Sequence, residues 1–260
     1  MRYLLKALLV IIISLPLGIV LVSLAPFDRR GKIAHSITRL WSWLVLKIGR
    51  NRLRVQGLEH LDAGCQYIFM ANHRSNIDIP ALVRTLLPFQ LRWVAKRELL
   101  FVPLFGLAFW AARHIVVDRS NSFKAMMSLR KVRKGMEGGS SVVFFPEGTR
   151  SQHGKLLPFK PGGFMLATMT GTPIIPITVN GSDAVLPKGD WRIRGGEIEV
   201  VVHKAVAVDP YHRGNLRHLM NRVRGVIESR YRRRSDPASA GPNHVRGEEI
   251  PAQKWVPWNR

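Results

Sequence analysis

The rhythm of apolar and polar positions changes near residue 50. Before it, residues 7–27 are apolar apart from Ser14, Pro16, Gly18, Ser23 and Pro26. At about 1.5 Å per residue such a helix reaches across a bilayer core of about 30 Å. Arg2 and Lys6 precede the stretch and Arg29, Arg30 and Lys32 follow it, so the positive-inside rule assigns no orientation. A spanning helix is the default reading. A re-entrant hairpin is the second, because Pro16 and Gly18 invite a kink. A helix over residues 33–48 would then return with Trp41 and Trp43 at headgroup depth. A cleaved signal peptide is the third, from the small-x-small trio Ser23-Leu24-Ala25. Membrane attachment is the expectation.

Beyond Leu53 short β-branched or aromatic runs recur at residues 67–70, 91–95, 114–117, 141–145, 174–179 and 198–202. Helical stretches separate several of them. Residues 122–136 set Phe123, Met126, Met127, Val132 and Met136 roughly on one face, and Gly138-Gly139 ends the run. Strands alternating with helices predict a three-layer α/β domain with a mostly parallel sheet. Residues 99–112 (LLFVPLFGLAFWAA) are too few to span, and read either as a buried core helix or as an apolar face on a membrane. The chain divides into an anchoring segment (1–49), the α/β domain (50–229) and a basic tail (230–260). The tail contains Arg232-Arg233-Arg234 and little apolar content, which predicts a flexible arm. Each such arginine adds about 1 kcal/mol of attraction near an anionic leaflet.

Composition sharpens this picture at two points. The net charge of +23 calls for an anionic partner: nucleic acid, acidic phospholipid or a phosphorylated small molecule. Charge alone would favour nucleic acid, but that leaves the apolar N-terminal stretch without a purpose. Cys65 is the sole cysteine, so no internal disulfide forms, and it reads as an inert core thiol.

Candidate chemistry gathers at strand ends. In FMANHRSNID (residues 69–78) an apolar run gives way to His73, Arg74, Ser75, Asn76 and Asp78. Pro80 disfavours helical geometry at Ile79 and fits a first helical turn, so strand, polar turn and a helix beginning near Asp78 follow. In that bend the Asp78 carboxylate swings onto the His73 ring, fixing its tautomer and leaving the other nitrogen to take a proton. The plainer alternative makes Asp78 a helix cap and His73 a turn histidine. A second run, VVFFPEGTRS (residues 142–151), ends in Glu147, Gly148, Thr149 and Arg150. Gly148 would let a backbone N–H approach a ligand, and Arg150 presents a fork suited to phosphate or carboxylate. HIVVDRS brings Asp118 and Arg119 to the same edge, and LRWVA brings Lys96. No G-x-S-x-G elbow and no H-E-x-x-H or Cys/His cluster occurs, so neither a serine nucleophile nor a metal is expected.

NHRSNID and FPEGTRS resemble the H-x4-D and phosphate-site blocks of the 1-acylglycerol-3-phosphate (lysophosphatidate) acyltransferases, a family of glycerolipid acyltransferases. KRELLFVPLFG, IVVDRS and PIIPITVNG fall in the family's order, and the resemblance covers roughly residues 50–210. It implies a glycerolipid acyltransferase-like α/β domain with a mostly parallel mixed sheet behind an N-terminal two-helix membrane motif. It implies that His73 is the general base and Asp78 its orienter, with Glu147 beside the acceptor's glycerol. Gly148, Thr149, Arg150, Arg119 and Lys96 would complete the substrate site, the cations on its phosphate, and Pro176 would shape the acyl-donor side. FKPGGF (residues 159–164) departs from the expected Lys-Gly pairing, and Pro161 leaves the role of Lys160 open. The implied reaction carries an acyl group from acyl-CoA or acyl carrier protein to the 2-hydroxyl of a lysophospholipid acceptor, giving phosphatidic acid. No cofactor is tightly held and no nucleic acid is involved. The site would face the cytoplasm from an anionic membrane surface, the inner membrane if the source is bacterial. A lyso-ornithine lipid or glycerol-3-phosphate would suit the same pair as acceptor. A non-catalytic lipid-binding scaffold of this fold is the remaining alternative.

Overall fold

Aliphatic residues with few breakers carry α1 (Arg2–Leu24) straight through Pro16 as one helix. The computed structural model describes residues 1–102, 105–117, 132–133, 136, 138–152, 154–209, 211, 215–232 and 254–255. Most of α1 is exposed, including Leu4, Leu8, Ile11, Ile12 and Ile19, and it is long and apolar enough to cross a membrane. α2 (Lys32–Gly49) returns beside it. Its free N–H groups are met by Asp28, whose two carboxylate oxygens accept from Lys32 N and Ala34 N, both at 2.8 Å. The pair is stitched where Trp41 Nε1 donates to Ser14 Oγ (2.9 Å) and Lys6 Nζ donates to Gly49 O (2.8 Å). The return helix matches its expected span; the indole of Trp41 turns inward onto α1.

Eight strands form one sheet in the order β4-β3-β5-β2-β6-β7-β1-β8. They are β1 (Asn51–Gln56), β2 (Ile68–Ala71), β3 (Leu91–Lys96), β4 (Ile115–Val117), β5 (Ser141–Phe144), β6 (Ile174–Asn180), β7 (Gly196–Val202) and the two-residue β8 (Lys254–Trp255). Pairing is parallel except at β6–β7 and β1–β8. β2, β3, β4, β5 and β6 therefore send their carboxyl ends the same way.

Strand alternation sorts the core into two layers. Ile68, Met70, Val142, Phe144 and Ile174 pack with Phe164 of α5 (Gly162–Thr170) and, beyond the short α6 (Ser182–Val185), with Leu219 and Val223 of α7 (Leu216–Glu228). Phe69, Leu91, Val143 and Ile175 face the opposite layer, with Leu46 of α2 and Leu82 of α3 (Asp78–Thr85). Burying each such side chain contributes about 1.5–3 kcal/mol. The expected three layers and mostly parallel mixed sheet are present.

The described part of residues 99–112 is not a buried core helix. A 3-10 turn (Arg97–Phe101) leads into α4 (Phe105–Ala111), which exposes Phe105, Leu107 and Trp110 beside exposed Phe101 and Val102. Only Gly106, Phe109 and Ala111 of the helix are buried, and Ala111 and Ala112 join Leu21, Ala25 and Ala34 of the helical pair. An apolar ledge thus continues the surface of α1. Cys65 corrects its expectation: it is exposed in the loop before β2, with Sγ 3.5 Å from Asp62 Oδ2. The helix expected over 122–136 lies outside the described residues except at 132–133 and 136, and so does the tail from 233, apart from 254–255.

Candidate active site

β2 leaves the sheet at a pinned point. Asn72 Nδ2 donates to Val179 O (2.8 Å) and its Oδ1 accepts Val179 N (2.7 Å), tying the end of β2 to β6. The chain then turns over residues 73–77 into α3. Asp78, fully buried, reaches back into that turn. Its Oδ2 accepts Arg74 N and Ser75 N, both at 2.8 Å, and His73 Nδ1 at 2.9 Å. The capping and catalytic readings therefore meet in one oxygen: the carboxylate organises the turn and orients the ring together. With Nδ1 donating, Nε2 carries the free lone pair. Among the described residues Nε2 has no hydrogen-bond partner.

The loop after β5 closes over this turn. The Phe145 ring stacks on the imidazole with centroids 3.8 Å apart and planes 10° apart, and Trp93 lies 5.7 Å from Phe145. His73 N donates to Glu147 Oε1 (2.7 Å), and Ser151 N donates to His73 O (2.8 Å). Both main-chain groups of His73 are thus fixed by a loop some 74 residues away. Glu147 Oε2 accepts Leu157 N (2.8 Å). Arg224 of α7 supports the same stretch, donating to Leu157 O (2.7 Å) and Leu156 O (3.0 Å). Burial pushes the Glu147 carboxyl up to about 7, against the two backbone N–H groups that favour its ionised form.

Several expectations change in detail. Glu147 is 2% exposed with both carboxylate oxygens on backbone donors, so it fastens the turn. The Gly148 N–H donates to Phe145 O (2.9 Å), and its φ of 69° lies in the left-handed region that favours glycine. Thr149 is exposed at the loop tip and Arg150 is half-buried. Lys188 Nζ donates to Arg150 O (3.0 Å), while the guanidinium has no partner among the described residues. Lys96 is exposed at the end of β3, two strands from β2. Arg119, with Asp118, lies outside the described residues. Pro176 is buried within β6 in register with Met70, and the Lys160 side chain is exposed while its N–H donates to Pro146 O (2.8 Å). Among the described residues no group of three or more His, Cys, Asp or Glu could hold a metal ion.

Sequence reasoning assigned no role to Arg74, Asp183, Lys188 or Arg224. Their partners are main-chain carbonyls or lie far along the chain, so spacing carries no sign of them. The one visible hint was Arg74 itself, a large cation in a turn of small polar residues.

Residues 52–180 match the family model described as Acyltransferase. A 1-acyl-sn-glycerol-3-phosphate acyltransferase of Limnanthes douglasii is 36% identical over 194 residues, covering 74% of this chain and 68% of its own length. The chloroplastic 1-acyl-sn-glycerol-3-phosphate acyltransferase BAT2 of Brassica napus is 34% identical over 185 residues, and the match spans 69% of this chain but only 52% of BAT2. The crystal structure of the 1-acyl-sn-glycerophosphate (LPA) acyltransferase PlsC from Thermotoga maritima superposes with a TM-score of 0.70 at 26% identity, covering 89% of this chain and 99% of that one.

Proposed function

The chain belongs to the 1-acyl-sn-glycerol-3-phosphate acyltransferase family, and from that premise we propose that it acylates the 2-hydroxyl of 1-acylglycerol-3-phosphate to give phosphatidic acid. The donor is an acyl thioester, acyl-CoA or acyl carrier protein. His73 Nε2 takes the hydroxyl proton as the oxygen attacks the thioester carbonyl. A C–O bond forms, the C–S bond breaks, and the thiolate leaves with a proton from the histidinium or water. Such a base contributes about 10²–10⁴-fold in rate, and Asp78 stabilises the imidazolium through Nδ1–H. Glu147 positions His73 through its main chain, and Gly148 and Thr149 shape the loop. Arg150 takes the acceptor phosphate, with Lys96 and Arg119 as further cations. The observation that carries this reading is the 2.9 Å His73–Asp78 contact at a carboxyl edge, with the second ring nitrogen unpartnered among the described residues.

The bilayer is the second partner. α1, the ledge at Phe101–Trp110 and a net charge of +23 together suit an anionic leaflet, with the active site on the cytoplasmic side where acyl thioesters are made. Purified protein given lysophosphatidate and a labelled acyl thioester should yield labelled phosphatidic acid on thin-layer plates, and His73→Ala should yield none. Transfer to a lyso-ornithine lipid but not to lysophosphatidate would replace the acceptor; wild-type turnover by His73→Ala would end the mechanism.

A further inference from the structure

Arg74 stands next to the proposed base, yet its side chain is 4% exposed and points into protein. Nη2 donates to Asp183 Oδ2 (2.6 Å) and Nη1 donates to Arg232 O (2.7 Å), while Cζ lies 5.1 Å from the Tyr231 ring centroid. The segment it meets is itself anchored. Asn180 Nδ2 donates to Arg230 O (2.9 Å), Asn180 Oδ1 accepts Arg232 N (3.0 Å), and Arg232 Nη2 donates to Glu199 Oε1 (3.1 Å). After α7, then, the chain crosses the carboxyl end of β6 and comes to rest against the turn bearing His73.

A guanidinium fork held by two fixed acceptors has little freedom, and once buried it stays where its partners are. The main-chain N–H of Arg74 donates to Asp78 Oδ2, the same oxygen that holds His73 Nδ1. Glu147 and Ser151 grip His73 from the β5 side; Arg74 grips the turn from the β6 side. We propose that residues 230–232 form a strap that acts through Arg74 to hold the His73–Asp78 pair in the geometry of proton transfer, making Arg74 a positioning residue. The proposal deepens the acyltransferase reading and rests on it for its kinetic arm alone.

The test compares Arg74→Gln, Asp183→Asn and a chain ending after Arg230, alone and combined, against a chain ending after Arg234. Misplacing a reacting group by about 1 Å costs on the order of 100-fold. Arg74→Gln and the shorter chain should each lower kcat about 10–100-fold, with the acceptor KM within about twofold. Their combination should be no worse than either alone, because both break one connection. Arg74→Lys, which keeps the charge but reaches one partner, should recover part of the loss. Hydrogen exchange at the Arg74 and Ser75 amides should quicken at least about tenfold in Arg74→Gln and the shorter chain, with β2 and β5 amides unchanged. Multiplicative kinetic losses, a rise in KM alone, unaltered exchange at those amides, or loss of kcat already in the chain ending after Arg234 would each overturn the strap. If the wild-type chain transfers no acyl group but the exchange result holds, the functional reading has failed while the strap stands.

Discussion

At the scale of single residues, the site divides into groups that face a substrate and groups that hold those groups. On the proposed reaction Arg150 belongs to the first kind: the residue is half-buried and its guanidinium has no partner among the described residues. Arg150→Ala should raise the acceptor KM about tenfold or more, as expected for losing a charge-assisted contact of about 1.5–3 kcal/mol; an effect confined to the thioester donor in steady-state kinetics would remove it from the phosphate site. Glu147 belongs to the second kind. Its folded pKa is raised by burial to about 7 from 4.5, so between those values the folded chain holds a proton that the unfolded chain has lost. Stability therefore falls as pH rises through that window and levels off above about 7. Glu147→Gln should flatten this dependence in denaturation curves at pH 5 and 8. It should also lower kcat, because an amide offers one oxygen to two backbone donors. His73 and Asp78 were legible because one short turn holds both. The grip of Glu147 and Ser151 was not, since it is made to main-chain atoms, which look alike in every sequence.

At the scale of elements, six strands were readable from β-branched runs bounded by turn residues. β1 was not, because Arg52 and Arg54 alternate with Leu53 and Val55 and leave no unbroken apolar run. The reversal at β6–β7 also left no trace, since both are apolar strands of ordinary length. The segment at residues 99–112 read ambiguously because a seven-residue helix that is apolar nearly all round suits a core or a bilayer equally well. Its exposed side chains exclude a buried core helix, and the membrane-facing reading is the one put to the test. Replacing Phe101 and Trp110 by Asp should reduce cosedimentation with phospholipid vesicles several-fold while leaving thermal stability nearly unchanged, because neither side chain is in the core. A large fall in Tm would instead make the ledge part of the fold.

At the scale of the whole molecule, charge and apolar surface act together. A net charge of +23 spread over a protein whose first helix is mostly exposed apolar surface gives two additive attractions to an anionic bilayer. Only one of them is screened by salt, over a Debye length of about 8–10 Å near physiological strength. Vesicle flotation should therefore weaken with added salt for anionic vesicles but not for zwitterionic ones; equal salt sensitivity for both would remove the electrostatic share. The three-layer plan was legible from alternating strands and helices. The pinning of the layers to one another at Asn72 and Arg74 was not, because their partners are 107 and 109 residues away.

β2 lies between β5 and β6, while β3 and β4 stand at the far rim of the sheet. On the proposed reaction, the proton-transferring pair and Arg150 follow interior neighbours β2 and β5, while Lys96 ends the more peripheral β3. Such a division would let the Lys96 end of the head-group site vary while the loop that carries Arg150 and grips His73 stays fixed. Grafting residues 91–96 from a relative with another acceptor should then shift the acceptor KM and leave kcat nearly intact.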